Sequence, residues 1–165
     1  MTTPAASYAK QIATDIIAQM AADGAPSWAV APFSAEYQRM YLDDLETMAP
    51  AGGATSEMQV VFAPIEPKWE RVGWGGARIT VSLGILFNVK VAMANKVITD
   101  PNLDSYEWLV DQFCTWLMGP RKFATLWWAS EPVVILGDHY NEHLYEKEAF
   151  HVPVLVDFIC DVEVP

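Results

Sequence analysis

The chain has 165 residues, 52% of them apolar and 19% charged, enough for about one domain with a substantial core and too apolar for a disordered segment. Its formal net charge is −11, with ten basic residues against twenty-one acidic ones, which excludes tight static binding of DNA or RNA through clustered Lys and Arg. A surface that DNA slides past without sticking stays compatible with that charge. Seven tryptophans are many for this length and raise the expectation of a subunit interface, where aromatic residues are enriched.

Residues 5–22 carry Ala9, Ile12, Ala13, Ile16, Ile17 and Met20 at the three-four spacing of one helical face, and "DG" at Asp23 and Gly24 stops the helix. "FSAEYQRMYL" (33–42) alternates and predicts a strand, with Ala35, Tyr37, Arg39 and Tyr41 on one face and Glu36, Gln38 and Met40 on the other. "LDDLETM" predicts a short turn or half-helix, and residues 49–57 an exposed Gly/Pro loop. "MQVVFAPI" (58–65) is a second strand, ended by Pro64 and Pro67.

Residues 67–77 then form a glycine-bearing loop, followed by a third strand. In that strand Ile79, Val81, Leu83, Ile85 and Phe87 point one way, and Arg78, Thr80, Ser82 and Asn88 the other. "NLDSYEWLVDQFCTWLMG" (102–119) predicts a helix with Asp104 and Glu107 as a capping box. Its apolar stripe is Tyr106, Leu109, Val110, Phe113, Trp116 and Leu117, and Gly119 and Pro120 end it. Residues 127–136 are a fourth strand, interrupted by Pro132 at an edge or bulge. From Phe150 to Val164 every second residue is apolar, which predicts a long final strand. Sequential strands with the helices set apart give one α+β domain, a mostly antiparallel sheet of about five strands covered on one face by two helices.

The candidate chemistry is thin. "GWGG" at Gly73–Gly76 precedes a strand instead of opening a helix, so it lacks the helix terminus that grips phosphate, and no Gly-Lys-Ser/Thr follows. His139, Glu142 and His143 match H-x-x-E-H, the inverted zinc-peptidase pattern. A short segment before the last strand leaves no downstream helix for a third ligand, so a zinc hydrolase is the remote alternative and a solvated polar turn the default. Asp43, Asp44 and Glu46 form an acidic knot that binds Ca²⁺ only if the fold supplies further oxygens. Lys90, Lys96 and "MGPRK" give scattered positive charge. Cys114 and Cys160 lack any C-x-x-C spacing and are expected as reduced, buried thiols. The expectation is therefore a non-enzymatic protein with no cofactor and no metal. A basic-then-apolar leader pattern and an apolar run of about 20 residues are both absent, so the protein is expected to be made in a cytoplasm and to have no membrane partner.

The order of elements carries a resemblance. Arg39 to Tyr41, Val60 to Pro64, Glu70 with Arg71, Ile79 to Val81, Leu103 to Val110 and Glu146 to Phe150 follow one another as the corresponding short motifs do in another group of proteins. The chain resembles the tail terminator (tail-completion, neck) proteins of long-tailed, non-contractile bacteriophages over nearly its whole length. That resemblance implies a homo-oligomeric ring, usually a hexamer, at the head-proximal end of the tail tube, in the virion. Such a ring stops tube polymerisation and meets the tail-tube protein on one side and the head-closure or connector protein on the other. DNA is then only a passing, non-specifically contacted strand. Another virion subunit of the same fold, from the tube or the head-closure neck, is the alternative. The tryptophan-rich "SWAVAP" and "RKFATLWW" depart from the pattern. Trp and Arg dominate interface energy, so the assembly contacts are expected in the 67–77 loop and just after it, at Trp69, Glu70, Arg71, Trp74 and Arg78.

Overall fold

The structure, a computed structural model, describes residues 7–23, 33–40, 58–65, 67–134 and 144–163. Helix α1 spans Tyr8–Ala22, and Ser7 caps it, its hydroxyl oxygen accepting from the Lys10 amide. Among the described residues the further elements are, in chain order, β1 (Phe33–Tyr37), β2 (Met58–Pro64), β3 (Lys68–Arg71), β4 (Gly76–Lys90), β5 (Met93–Ala94), β6 (Val97–Ile98), helix α2 (Leu103–Leu117), β7 (Trp128–Ala129), β8 (Val133–Val134) and β9 (Ala149–Glu163).

Seven of these strands build one sheet in the order β1-β2-β4-β9-β7, with β3 on β4 and β8 on β9. β2 and β3 lie end to end along one edge of β4, pairing with its Leu83–Asn88 and Ala77–Thr80 stretches. Pro64 and Pro67 interrupt that edge without ending it, because the Ile65 amide still donates to the Ser82 carbonyl before β3 resumes. β8 and β7 share the edge of β9 in the same way, broken at Ser130–Pro132. Seven strands thus occupy five rows, in agreement with the mostly antiparallel sheet of about five strands read from the sequence. Among the described residues the one parallel pair is β1 with β2.

β4 and β9 are antiparallel partners over their full length, from Gly76 opposite Glu163 to Lys90 opposite Ala149. Their alternation puts Ile79, Val81, Leu83, Ile85, Phe87 and Val89 beside Phe150, Val152, Val154, Val156, Phe158 and Cys160 on one face. Both helices pack on that face. α1 presents Ala9, Ile12, Ala13, Ile16 and Met20. α2 presents Phe113, whose ring lies 5.1 Å from Phe87 and 6.4 Å from Phe62, and Tyr106, 5.7 Å from Phe150. Burying a side chain of the Phe62, Phe87 or Phe113 kind contributes roughly 1.5–3 kcal/mol.

Several expectations are refined. Strand β1 ends at Tyr37, with one further bond from the Gln38 amide to the Phe62 carbonyl, and the chain leaves the ladder before Met40. The expected capping box on α2 does not form. Asn102 is the N-cap and makes no side-chain cap bond, and Asp104 lies one position inside the first turn. Asp100 instead accepts from the Asn102 amide, turning the chain into the helix. Between β4 and α2, β5 and β6 form a hairpin whose turn residues Asn95 and Lys96 both have positive φ, the hairpin geometry that matches strand twist. Asn88, read as part of a polar outward face, is fully buried. It stands between Gln59 and the buried His151 in a row of paired residues. Around it Val61, Ala63 and Leu86 form a second, smaller apolar cluster, with Met40 packed on it. The sheet is therefore covered on both faces at this end.

Residues 43–57, including the acidic knot and the first predicted loop, and the His139–His143 motif lie outside the described residues.

Candidate functional site: the β3–β4 hairpin

The segment predicted as a loop over 67–77 is a β-hairpin. β3 pairs with the start of β4, Trp69 opposite Ile79, Glu70 opposite Arg78 and Arg71 opposite Ala77. The Val72 amide donates to the Gly76 carbonyl at 2.9 Å and closes a Gly73-Trp74-Gly75 tip. Gly73 (φ 69°) and Gly75 (φ 87°) take the left-handed conformations that side chains rarely adopt, so the glycines serve the turn. Gly76 has a different constraint: a Cβ there would sit 2.7 Å from the Val72 carbonyl oxygen. The predicted loop is thus a two-stranded hairpin, held in the main sheet through β4.

Every residue of β3 is exposed. Trp69 retains 62% of its accessible surface, and Trp74 at the tip is fully exposed. Trp69 and Arg71 share the helix-bearing side of the sheet by strand alternation, but the hairpin carries them clear of the core. Lys68 and Glu70 lie on the other side.

The structure splits the predicted residues into two groups. Arg78, whose side chain stays partly exposed, is paired within the chain. Its Nε and Nη2 donate to the two carboxylate oxygens of Asp161, at 2.8 and 3.1 Å, across the β4–β9 ladder. That bidentate bond holds the Asp161 carboxyl below the usual carboxylate range and raises the Arg78 guanidinium, with Glu70 adding a smaller contribution from the neighbouring strand. Glu70, Arg78 and Asp161 form one row across three strands and fix the base of the hairpin to β9. Trp69, Arg71 and Trp74 make up the outward-facing group. Asp161 was not singled out in the sequence. Its alternation within β9 was legible, but the register that sets it opposite Arg78 is a tertiary property.

Charge is distributed unevenly along the chain. Residues 67–99 contain Lys68, Arg71, Arg78, Lys90 and Lys96, half of all the basic residues, and a single acid, Glu70. Within this stretch the hairpin carries Lys68, Arg71 and Arg78 against Glu70, with Arg78 paired to Asp161, and so is a mildly basic, tryptophan-bearing projection from a strongly acidic protein.

The other chemistry-bearing groups have structural surroundings. Cys114 and Cys160 are free and buried. Burial, with Asp111 nearby, pushes the Cys114 thiol up to about 11, and burial also raises Cys160, so neither is an activated thiolate. Arg121 is not a loose surface cation. It lies 4.4 Å over the Trp116 ring and donates to Asp23, which also accepts from the Trp116 indole nitrogen. Those two bonds, the indole one first, lower the Asp23 carboxyl. One helical turn and two turns back, Gln19 and Asp15 bind Lys122 and Ala124 backbone groups, so one stripe of α1 clasps the 121–124 segment. Among the described residues no group of three His, Cys, Asp or Glu side chains is placed to hold a metal ion, and no helix is long and apolar enough to cross a membrane.

Compared with models of known protein families and with curated protein sequences, the chain has no match in either.

Proposed function

We propose that this chain is a structural, non-enzymatic virion subunit, the tail terminator of a long-tailed phage. It forms a homo-oligomeric ring, of hexameric type, at the head-proximal end of the tail tube, and is made in the host cytoplasm before assembly. In that position it stops tube polymerisation and offers its opposite side to the head-closure or connector protein. DNA passes through without being retained, as the −11 net charge favours.

One observation carries the reading: an ordered hairpin that presents a fully exposed tryptophan at its tip and a second on its strand. Exposed Trp beside Arg is the composition of interface hot spots. A projection held at its base by a bidentate ion pair keeps its geometry when it meets a partner, so little ordering entropy is lost on docking. The order of short motifs from Arg39 to Phe150 supplies the assignment to the tail.

Electron microscopy of particles assembled without this protein tests the proposal. Over-long tails or unjoined heads are expected. Particles with no tails at all would assign the chain to the tube, and normal particles would overturn a tail role altogether.

A further inference from the structure

We infer that the basic hairpin of one copy docks on the acidic outer face of α2 of the next copy, so that the protein assembles head to tail through two different surfaces. The occupant of that helix face is a second copy of this chain. The inference rests on the ring reading for closure of the assembly, but not for the contact itself.

The two surfaces are complementary in charge and kind. On the hairpin, Trp69 and Arg71 share one side, with Trp74 at the tip and Lys68 on the opposite side, all exposed. On α2, the residues left outside the core recur at helical spacing: Asp104, Glu107, Trp108 and Asp111 are all exposed, with Trp108 retaining half of its surface. Three carboxylates thus surround an indole within two turns. A positive, indole-bearing strand meeting such a stripe joins cation to carboxylate and stacks indole or guanidinium against indole.

Position then dictates a contact between copies. Tyr106, one turn before Val110 and next to this stripe, packs on Phe150, which pairs with Val89. The hairpin tip precedes Gly76, at the other end of the same strand. Thirteen residues of extended chain separate the two rows, about 43 Å at about 3.3 Å per residue. Since β3 and β4 are locked in one ladder, a hairpin cannot fold back on its own α2. Two unlike, mutually complementary patches at opposite ends of a subunit make a heterologous interface, which closes into a ring when the rotation per subunit permits.

The test uses two full-length variants and sedimentation velocity. One disables the hairpin (Trp74→Ala with Arg71→Glu), and the other disables the helix face (Trp108→Ala with Asp111→Lys). All four positions are exposed, and circular dichroism checks that both variants fold. Each variant alone is expected to self-associate at least tenfold more weakly than the wild type. Mixed together, they are expected to form a discrete dimer, because each keeps the surface the other has lost. High salt is expected to weaken the wild-type assembly, as for a contact between exposed charges. If both variants assemble like the wild type, the hairpin–α2 contact is wrong while a ring through other surfaces stands. If the mixture gives no dimer although each variant is monomeric, head-to-tail pairing is wrong. A wild type that stays monomeric up to millimolar concentration overturns the self-contact, and the tail-length phenotype then judges the terminator reading independently.

Discussion

The two halves of the β4–β9 ribbon are built from the same alternating pattern and have opposite surroundings. In the half from Gly84 to Lys90, residues on both faces are buried up to Val89: Phe87 and Val89 under the helices, Leu86 and Asn88 on the other side. The partner residues His151 and Pro153 are buried as well. In the half from Gly76 to Ser82, only Ile79 and Val81 are buried. The opposite face carries Arg78, Thr80 and Ser82, with Asp157 and Asp161 from β9. One strand pair therefore serves as core at one end and as a projecting platform at the other. A strand loses its polar alternation where both faces are covered and keeps it where one face meets water.

Four predictions probe that contrast, from the largest effect to the smallest. Leu86→Ala in the doubly covered half removes a fully buried side chain from a small cluster and is expected to cost about 2–5 kcal/mol by chemical denaturation. A loss under about 0.5 kcal/mol would show that the second face is not part of the folding core. Gly76→Ala, at the junction of the hairpin, forces a Cβ against the Val72 carbonyl and is expected to cost about 1–3 kcal/mol, with protease sensitivity confined to the hairpin.

The third concerns acid. Asp161 and Asp23 have folded-state carboxyls below the ordinary value of 3.8. Their bonds therefore stabilise the fold fully above that value, and this contribution is lost as pH falls through the depressed folded-state value. The stability difference between wild type and Arg78→Ala should be small and constant from pH 5 to neutrality (about one unit above the free carboxylate range and beyond), and should disappear on titration below it. A difference that grows in acid would contradict the ion pair as its source. The smallest effect is expected of Trp74→Ala, whose side chain touches no core: the monomer melts within about 0.5 kcal/mol of the wild type. Unfolding of that variant would make the hairpin tip part of the core after all.

The candidate site was only partly legible beforehand. Trp69, Arg71 and Trp74 follow from residue type and glycine-bearing context, and the structure exposes all three. Arg78 was named with them, and strand register pairs it with Asp161. The α2 stripe of Asp104, Trp108 and Asp111 was written in the helical spacing from the start, as the complement of the buried stripe.

What the sequence determined by itself is what repeats over a few residues. The three-four spacing of α1 and α2 and the period of two in β4 and β9 give element type, the buried stripe and the α+β class, because side-chain direction depends only on local backbone geometry. What only the tertiary structure decided is which strand lies beside which. The Arg78–Asp161 bond and the burial of Asn88 beside His151 depend on backbone partners distant in the chain, and the parallel β1–β2 pair on one about twenty-five residues away. A strand's alternation says nothing about a partner sixty or eighty residues away (roughly the separations at stake), since the hydrogen bonds that fix the register come from backbone groups every residue carries.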